Sequence, residues 1–336
     1  MTAHERALLI VGALALTVIA GDMAAAQGTS TAPAAVSEDP PPPWAFPVNP
    51  PNSAVAYPAP SDKIEHVAGS NASFTDRQLI DLFFVADWFP AEHGLMPSIV
   101  STGRKPTVKP CGLCHLPSGN GGPAEAALSG LSASYIREQI SEFRAGRRSA
   151  AEPNMVSTHD MTDEAKAVSD AELAAAAFYF SQLKFVSHFR VVETDTVPKT
   201  EVQLMSLYVK IPGTVSEPIG QRIVEVPDDA TWQWELGSTH ASYTAYVPRG
   251  SIARGKALVA SGDGAVPCRT CHGDDLKGSA IAPPLAGRAA SYIVRQLYDM
   301  QHGTRNGAVV APMLPVVAKM TAQDRIAIAA YLTSLR

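Results

Sequence analysis

The chain has 336 residues, 46% hydrophobic and 18% charged, with 27 Lys+Arg against 32 Asp+Glu. At roughly 100–200 residues per domain, that length asks for two domains and an appendage. The apolar fraction excludes wholesale disorder, and the formal charge of -5 excludes a generally basic nucleic-acid binder. No apolar run reaches the roughly 18–20 residues of a spanning helix, so a polytopic membrane protein is excluded too.

Met1–Arg6 is short and weakly polar, Ala7–Gly21 is an almost purely apolar run, and Ala24, Ala25 and Ala26 supply small residues before Gln27. This layout predicts a secretory signal peptide over 1–26 and a mature protein in the periplasm. An uncleaved anchor is the alternative, because Glu5 offsets Arg6. The following segment, 27–71, is proline-rich, with ten of the 27 prolines between Pro33 and Pro60. Such a stretch lacks backbone donors and is expected to form an extended tether or strap, with neither helix nor strand.

Cys111-Gly-Leu-Cys114-His115 aligns with Cys268-Arg-Thr-Cys271-His272 at an offset of 157. The same offset pairs Leu128 and Gly130 with Leu285 and Gly287, Tyr135 with Tyr292, Gln139 with Gln296, Gly146 with Gly303 and Arg148 with Arg305. Beyond that the offset becomes 152, pairing Ser169, Tyr179 and Leu183 with Thr321, Tyr331 and Leu335. The chain contains an internal duplication, with five extra residues in one loop of the first copy.

Each copy reads as helical. An opening helix is expected at Asp76–Trp88 capped by Thr75, and at Ile252–Ala260 capped by Ser251. A middle helix is expected at Ser134–Arg144 and Ser291–Gln301, ended by Gly146 and Gly303. A closing helix starts at Ser169, with Glu172 completing a capping box, and its twin starts at Thr321. Leu173, Ala176, Ala177 and Phe180, and likewise Ile326, Ala329 and Ala330, define buried stripes at helical spacing. Between the copies, 188–248 has a β-like texture: Arg190–Thr194, Val202–Ile211 and Arg222–Val226 read as extended, and Trp232 and Trp234 would share one face of a strand. About sixty residues is too long for a bare linker, so a β-rich excursion packed on one or both domains is expected.

C-x-x-C-H is the attachment pattern of c-type haem. Two thiols so spaced reach the two vinyl groups on one porphyrin edge, and the adjacent His falls beneath the iron. A thioredoxin-like pair would want a βαβ context, which neither copy has. A zinc site would need the two pairs to converge and would not explain a His after each. Cys111, Cys114, Cys268 and Cys271 are therefore read as holding two covalent haem c groups, with His115 and His272 as proximal iron ligands. Met or His completes such sites. The candidates are Met155, His159 and Met161 in the first copy and His302, Met313 and Met320 in the second. At the offset of 152 only Met161 and Met313 match one another, each eight residues before the cap of the closing helix. They are read as the sixth ligands, with Met155 the leading substitute in the first copy.

These motifs together resemble a two-haem class I cytochrome c of the cytochrome c4 type. The resemblance rests on the paired C-x-x-C-H motifs, Leu128-Ser-Gly130 and Leu285-Ala-Gly287, Tyr135–Arg148 and Tyr292–Arg305, and the two methionines. It implies a mainly α fold of two tandem domains, here 72–187 and 249–336, that shuttles single electrons in the periplasm between redox protein partners, from a dehydrogenase or reductase donor to an oxidase or reductase acceptor. It also implies that the carbonyl of a proline two residues before Leu-x-Gly accepts Nδ1–H of the proximal His. Pro283 fits; the first copy has Ala126 there. The proline-rich extension and the 188–248 segment are not part of that pattern.

Tyr135, Tyr292, Tyr179 and Tyr331 are expected against haem edges or helices. Arg148 and Arg305 are candidates for haem propionates, with a solvated loop role as the alternative. His66, His93, His188 and His240 are assigned no metal, and no catalytic Ser/His/Asp set or carboxylate pair stands out. Residues 249–336 carry 11 basic against 5 acidic residues, which predicts a positive C-terminal face for an acidic partner. The expectation is an electron carrier rather than an enzyme. Alternatives are a cytochrome subunit of a periplasmic dehydrogenase complex and a dihaem peroxidase, which would need one open iron position and an acid–base group.

Overall fold

The computed structural model describes residues 39–49, 60–203, 207–228, 236–262 and 265–336. The expected leader, 1–26, and the Trp232/Trp234 pair lie outside the described residues.

The chain enters the first helical half through two short antiparallel strands, β1 (Ile64–Glu65) and β2 (Phe74–Thr75). Helix α1 (Asp76–Leu79) starts where expected, with Thr75 and Gln78 forming a capping box, but ends after one turn rather than at Trp88. The Asp81 carboxylate accepts from the Phe83 amide at 2.9 Å, a local turn that competes with helix continuation. The counterpart of the second copy's opening helix lies further on, in α2 (Ser98–Ser101). Pro97 precedes α2 and Gly103, at φ +63°, follows it, so only one turn forms. Helices α3 (Cys111–His115), α4 (Ala133–Arg144), α5 (Val156–Ala167) and α6 (Asp170–Ser181) complete this half. Ser169 and Glu172 make the expected capping box on α6, and Ile136, Ile140, Phe143, Leu173, Ala177 and Phe180 form the buried seam between α4 and α6.

Seven short strands follow among the described residues. They are β3 (Phe189–Glu193), β4 (Thr196–Pro198), β5 (Thr200–Gln203), β6 (Leu207–Lys210), β7 (Ser216–Pro218), β8 (Val224–Pro227) and β9 (Tyr243–Val247). The expected single run at Val202–Ile211 is instead the β5–β6 antiparallel pair, and β9 carries a strand that the sequence pattern did not single out. The sheet order β3-β9-β8 places β9 in the centre, parallel to β3 and antiparallel to β8.

The second half comprises α7 (Ser251–Ser261), α8 (Arg269–His272), α9 (Ala290–Gln301), a 3-10 turn (Ala308–Met313), α10 (Leu314–Val317) and α11 (Ala322–Ser334). The cap of α7 is Gly250, at φ +81°, and not Ser251, which is already inside the helix. Pro312 and Pro315 break the stretch that is one continuous helix, α5, in the first half. Helix α7 crosses α11 at Gly255, where a Cβ would stand 1.9 Å from the Ala327 carbonyl oxygen. Thr321 and Asp324 form the capping box of α11.

The segment 39–49 forms neither helix nor strand and lies as a strap on the second half. Ala45 and Phe46 are buried in its core, with Phe46 edge-on to Tyr298 at 5.3 Å. The strap is held by Tyr298 donating to the Asp39 carbonyl, Arg295 to the Ala45 carbonyl at 2.9 Å and Tyr208 to the Pro43 carbonyl at 3.0 Å.

The expected positive face of 249–336 does not form as the charge count suggested. Arg288, Arg295, Arg305 and Arg325 are buried, Arg249 pairs with Asp195, and Arg254 pairs with Asp324. Much of the basic excess is used inside the molecule, on backbone carbonyls and neutral side chains at the junction of the halves.

Candidate haem sites

In the first half α3 is a single turn that sets Cys111 and Cys114 on one wall, with His115 closing it. All three line a cavity of about 180 Å³, together with Leu128, Phe143, Met155 and Met161. Burial pushes both thiols up to about 12, the reverse of the lowered pKa of a reactive redox pair. The four cysteines are not disulfide-bonded, and among the described residues no group of three His, Cys, Asp or Glu side chains is placed to hold a metal ion.

His115 Nδ1 bonds the Ala126 carbonyl at 2.8 Å, and His272 Nδ1 bonds the Pro283 carbonyl at 2.7 Å. The contact that the resemblance tied to a proline is therefore present in both halves. The acceptor is a backbone carbonyl, which alanine supplies as well as proline does. With Nδ1 so used, Nε2 is the nitrogen available to iron. Burial lowers the pKa of both histidines, which keeps them in the neutral, ligating form.

Met161 lies on α5 and packs with the first-half core beside Cys111 and Leu128. Met155, also on the cavity wall, packs instead with the second-half core. It ends the stretch 149–155 that carries the extra residues of the first copy. That stretch is bound to the second half through Ser149 N–H to the Thr304 carbonyl and Ala151 N–H to the Asp299 carboxylate, both 2.8 Å. Met313 and Met320 both pack on the second-half core, Met313 at the start of α10.

The halves meet through the residues paired by the duplication. Arg148 and Arg305 form an antiparallel backbone bridge with each other. Arg148 donates to Tyr292 at 3.0 Å, and Arg305 to Tyr135 at 3.1 Å. Each arginine also reaches Gln139 and Gln296. A contact in which equivalent residues face each other has the self-complementary form of a two-fold interface. Neither arginine is simply solvated, as the loop alternative had it. Gln139 Nε2 and Arg305 Nε are buried there as donors without a partner, and haem carboxylates are acceptors of the complementary kind. The donors, the thiols, the free imidazole nitrogens and the apolar cavity fit a haem group. The remaining tyrosines pack on backbone or helix: Tyr179 donates to the Pro117 carbonyl at 2.7 Å, and Tyr331 accepts from Arg269.

Three residues that bear on the site were not assigned to it from the sequence, which counted Arg288 and Arg295 only toward the positive face of 249–336. Arg288 donates to the carbonyls of Ala127 and Ser129, and Arg295 to those of Pro123 and Ala124, so the second half clamps the loop that presents Ala126 to His115. Burial lowers the Arg288 guanidinium to about 10. Glu225 on β8 accepts from the amides of Ala290 and Ser291 and from the Ser291 hydroxyl, capping α9 where Ala289 has no side-chain acceptor. The available signal was a departure from the repeat, since Arg288, Arg295 and Ala289 stand where the first copy has Leu131, Glu138 and Ser132.

The family profile described as cytochrome c matches residues 252–336. Cytochrome c4 of Azotobacter vinelandii is 27% identical over 230 residues, covering 67% of this chain and 84% of that protein. Cytochrome c-554(548) of Halomonas halodenitrificans is 37% identical over 68 residues, 20% of this chain and 82% of that protein. A thiosulfate dehydrogenase electron acceptor from Thiomonas intermedia is 26% identical over 236 residues, 68% and 80%. Among solved structures, thiosulfate dehydrogenase (TsdBA) from Marichromatium purpuratum matches with a TM-score of 0.47 at 26% identity, covering 70% of this chain; the chain spans 38% of that one. With C-x-x-C-H twice in the sequence and these relatives, the chain belongs to the cytochrome c family, as a cytochrome c4-like dihaem protein that carries electrons on covalently bound haem c.

Proposed function

We propose that two tandem class I cytochrome c domains, 72–187 and 249–336, each hold one haem c. Cys111 and Cys114, and Cys268 and Cys271, form the thioether bonds. His115 and His272, together with Met161 and Met313, would supply the iron ligands. The observation that carries this reading is the repeated bond from the motif His Nδ1 to a carbonyl eleven residues on, which fixes each ring with Nε2 free. Met161 is favoured over Met155 because Met155 is committed to packing on the other half.

Bound in this way, haem iron supplies one-electron redox chemistry. The chain's part is to hold that chemistry without rearrangement. His115 and His272 are locked by their carbonyl bonds, and Leu128, Phe143 and Met161 give the cavity at the first motif apolar walls. Methionine thioether, an uncharged soft donor, suits either oxidation state. Both halves supply an in-register Met, so neither site has the open position a peroxidase needs, and the chain is an electron carrier without catalytic residues.

Its place is the periplasm, after export through a leader at 1–26. Among the described residues no helix is long and apolar enough to cross a membrane. The partners are redox proteins. A second reading, a cytochrome subunit of a periplasmic dehydrogenase complex, is favoured by the relative named as a thiosulfate dehydrogenase electron acceptor. The experiment is near-infrared spectroscopy of the ferric protein. Met161→Ala and Met313→Ala should each remove about half of the sulfur-to-iron band, one haem of two. If Met155→Ala does so in place of Met161→Ala, the first ligand set is wrong.

A further inference from the structure

The two C-x-x-C-H motifs are near-copies in sequence. All four cysteines are half-buried and His272 is more buried than His115, but the residues between the cysteines and the loops that follow differ in exposure. Gly112, the second residue of the first motif, is buried. A Cβ there would stand 2.8 Å from the Val100 carbonyl oxygen and 3.2 Å from Val85 Cγ1. Its counterpart Arg269 is exposed, as is Thr270 beside it. The loop after the first motif is buried from Gly119 to Ala124. In the loop after the second, residues 279–281 are exposed and Ile281 stands 80% open. Ser279 donates to the Cys271 carbonyl, so this open loop lies directly against the second motif.

The cover on the first motif is built from parts that have no copy on the second. The segment before α2 brings Val85, Trp88 and Phe89 inward. It is tied to the inserted β segment by Trp88 Nε1–H to the Leu236 carbonyl at 2.7 Å and by Phe89 stacked on His240 at 3.7 Å. From the other side, Arg295 holds the Pro123 and Ala124 carbonyls.

We propose that the face around Cys268–His272 is the electron port of this protein, and that the covered site at Cys111–His115 exchanges electrons with the outside only by way of the other. The inference rests on the two-haem reading above. With a haem held at each site, one electron from an external one-electron donor would enter at the second site and go from there to the first. No bond is made or broken, and no proton is required. The charged side chains on the port are Arg269 and Lys277 against Asp274 and Asp275, so reversing the two cations turns a near-neutral face strongly acidic.

The test is stopped-flow reduction of the fully ferric two-haem protein by hexaammineruthenium(II), a dication, read over the whole absorbance change of both haems. Arg269→Glu with Lys277→Glu should speed the reduction of the entire amplitude by about threefold or more at low ionic strength, and added salt should erase the gain. Lys105→Glu with Lys184→Glu, exposed positions on the first half, should leave the rate as it was. The proposal is overturned if the first-half pair speeds half or all of the amplitude, or if the second-half pair moves only half of it or none. Haem content by alkaline pyridine spectra accompanies each protein. Wild type with fewer than two haems overturns the two-haem reading itself, whereas two haems with the wrong rate pattern overturns only the port. Lys277→Glu alone serves if Arg269→Glu impairs haem loading, because Arg269 also touches Tyr331.

Discussion

Arg148 donates to the phenol oxygen of Tyr292 at 3.0 Å, and Arg305 repeats the relationship with Tyr135 at 3.1 Å. Each arginine crosses from its own half to the tyrosine of the other, and Arg305 is buried among neutral partners. Arg305→Leu takes the donor from the Tyr135 phenol oxygen and leaves Gln139 and Gln296 with Arg148 alone. The expected cost is about 2–4 kcal/mol. Chemical unfolding of the haem-loaded protein measures it, and an unchanged midpoint would show that this junction contributes nothing.

Glu225 caps a helix to which it does not belong. Glu225→Ala removes the acceptor for Ala290 N–H, Ser291 N–H and the Ser291 hydroxyl, and should destabilise by about 1–3 kcal/mol. The loss should be local first. Amide exchange at Ala290 and Ser291 should accelerate well before that of α11.

Gly255 marks the crossing of α7 and α11. Alanine is favoured over glycine in a helix by about 1 kcal/mol, but here its Cβ would meet the Ala327 carbonyl at 1.9 Å. Packing strain should win, giving a net loss of about 1–3 kcal/mol in Gly255→Ala. A thermal midpoint equal to or above wild type would contradict this crossing.

Burial pushes the Asp299 carboxyl up to about 6, against bonds from Ala151 N–H and the Thr304 hydroxyl and the charges of Arg295 and Arg148. The folded state then binds this proton more tightly than the unfolded state does. The group's contribution is therefore full below the ordinary carboxylate pKa and is lost as pH rises toward about 6. Urea midpoints of the haem-loaded protein measured across that window should show a downward contribution in wild type that Asp299→Asn lacks.

The Nδ1 acceptors of His115 and His272 are main-chain atoms, so side-chain identity at those positions matters little. Pro283→Ala and Ala126→Gly should both keep two haems and the axial-ligand spectrum of wild type. Loss of the Met-ligated spectrum in either would show that ring orientation depends on the side chain.

Much of this protein was legible before folding. The C-x-x-C-H pairs, the change of offset from 157 to 152 and the caps at Ser169 and Thr321 are local patterns, and local chemistry sets them. The opening helix of the first half was not legible. Thr75 does start a helix, but an aspartate turn at Asp81 stops it, and the true counterpart is one turn trapped between Pro97 and Gly103. The arginines of 249–336 count as surface charge until tertiary structure brings the first half's carbonyls to Arg288 and Arg295. Sequence sets each residue's donors and acceptors. Which distant backbone satisfies them, and which of two near-identical motifs is left open to solvent, is decided only when the halves, the strap and the β segment pack together, because those contacts join residues from about fifty to more than two hundred positions apart.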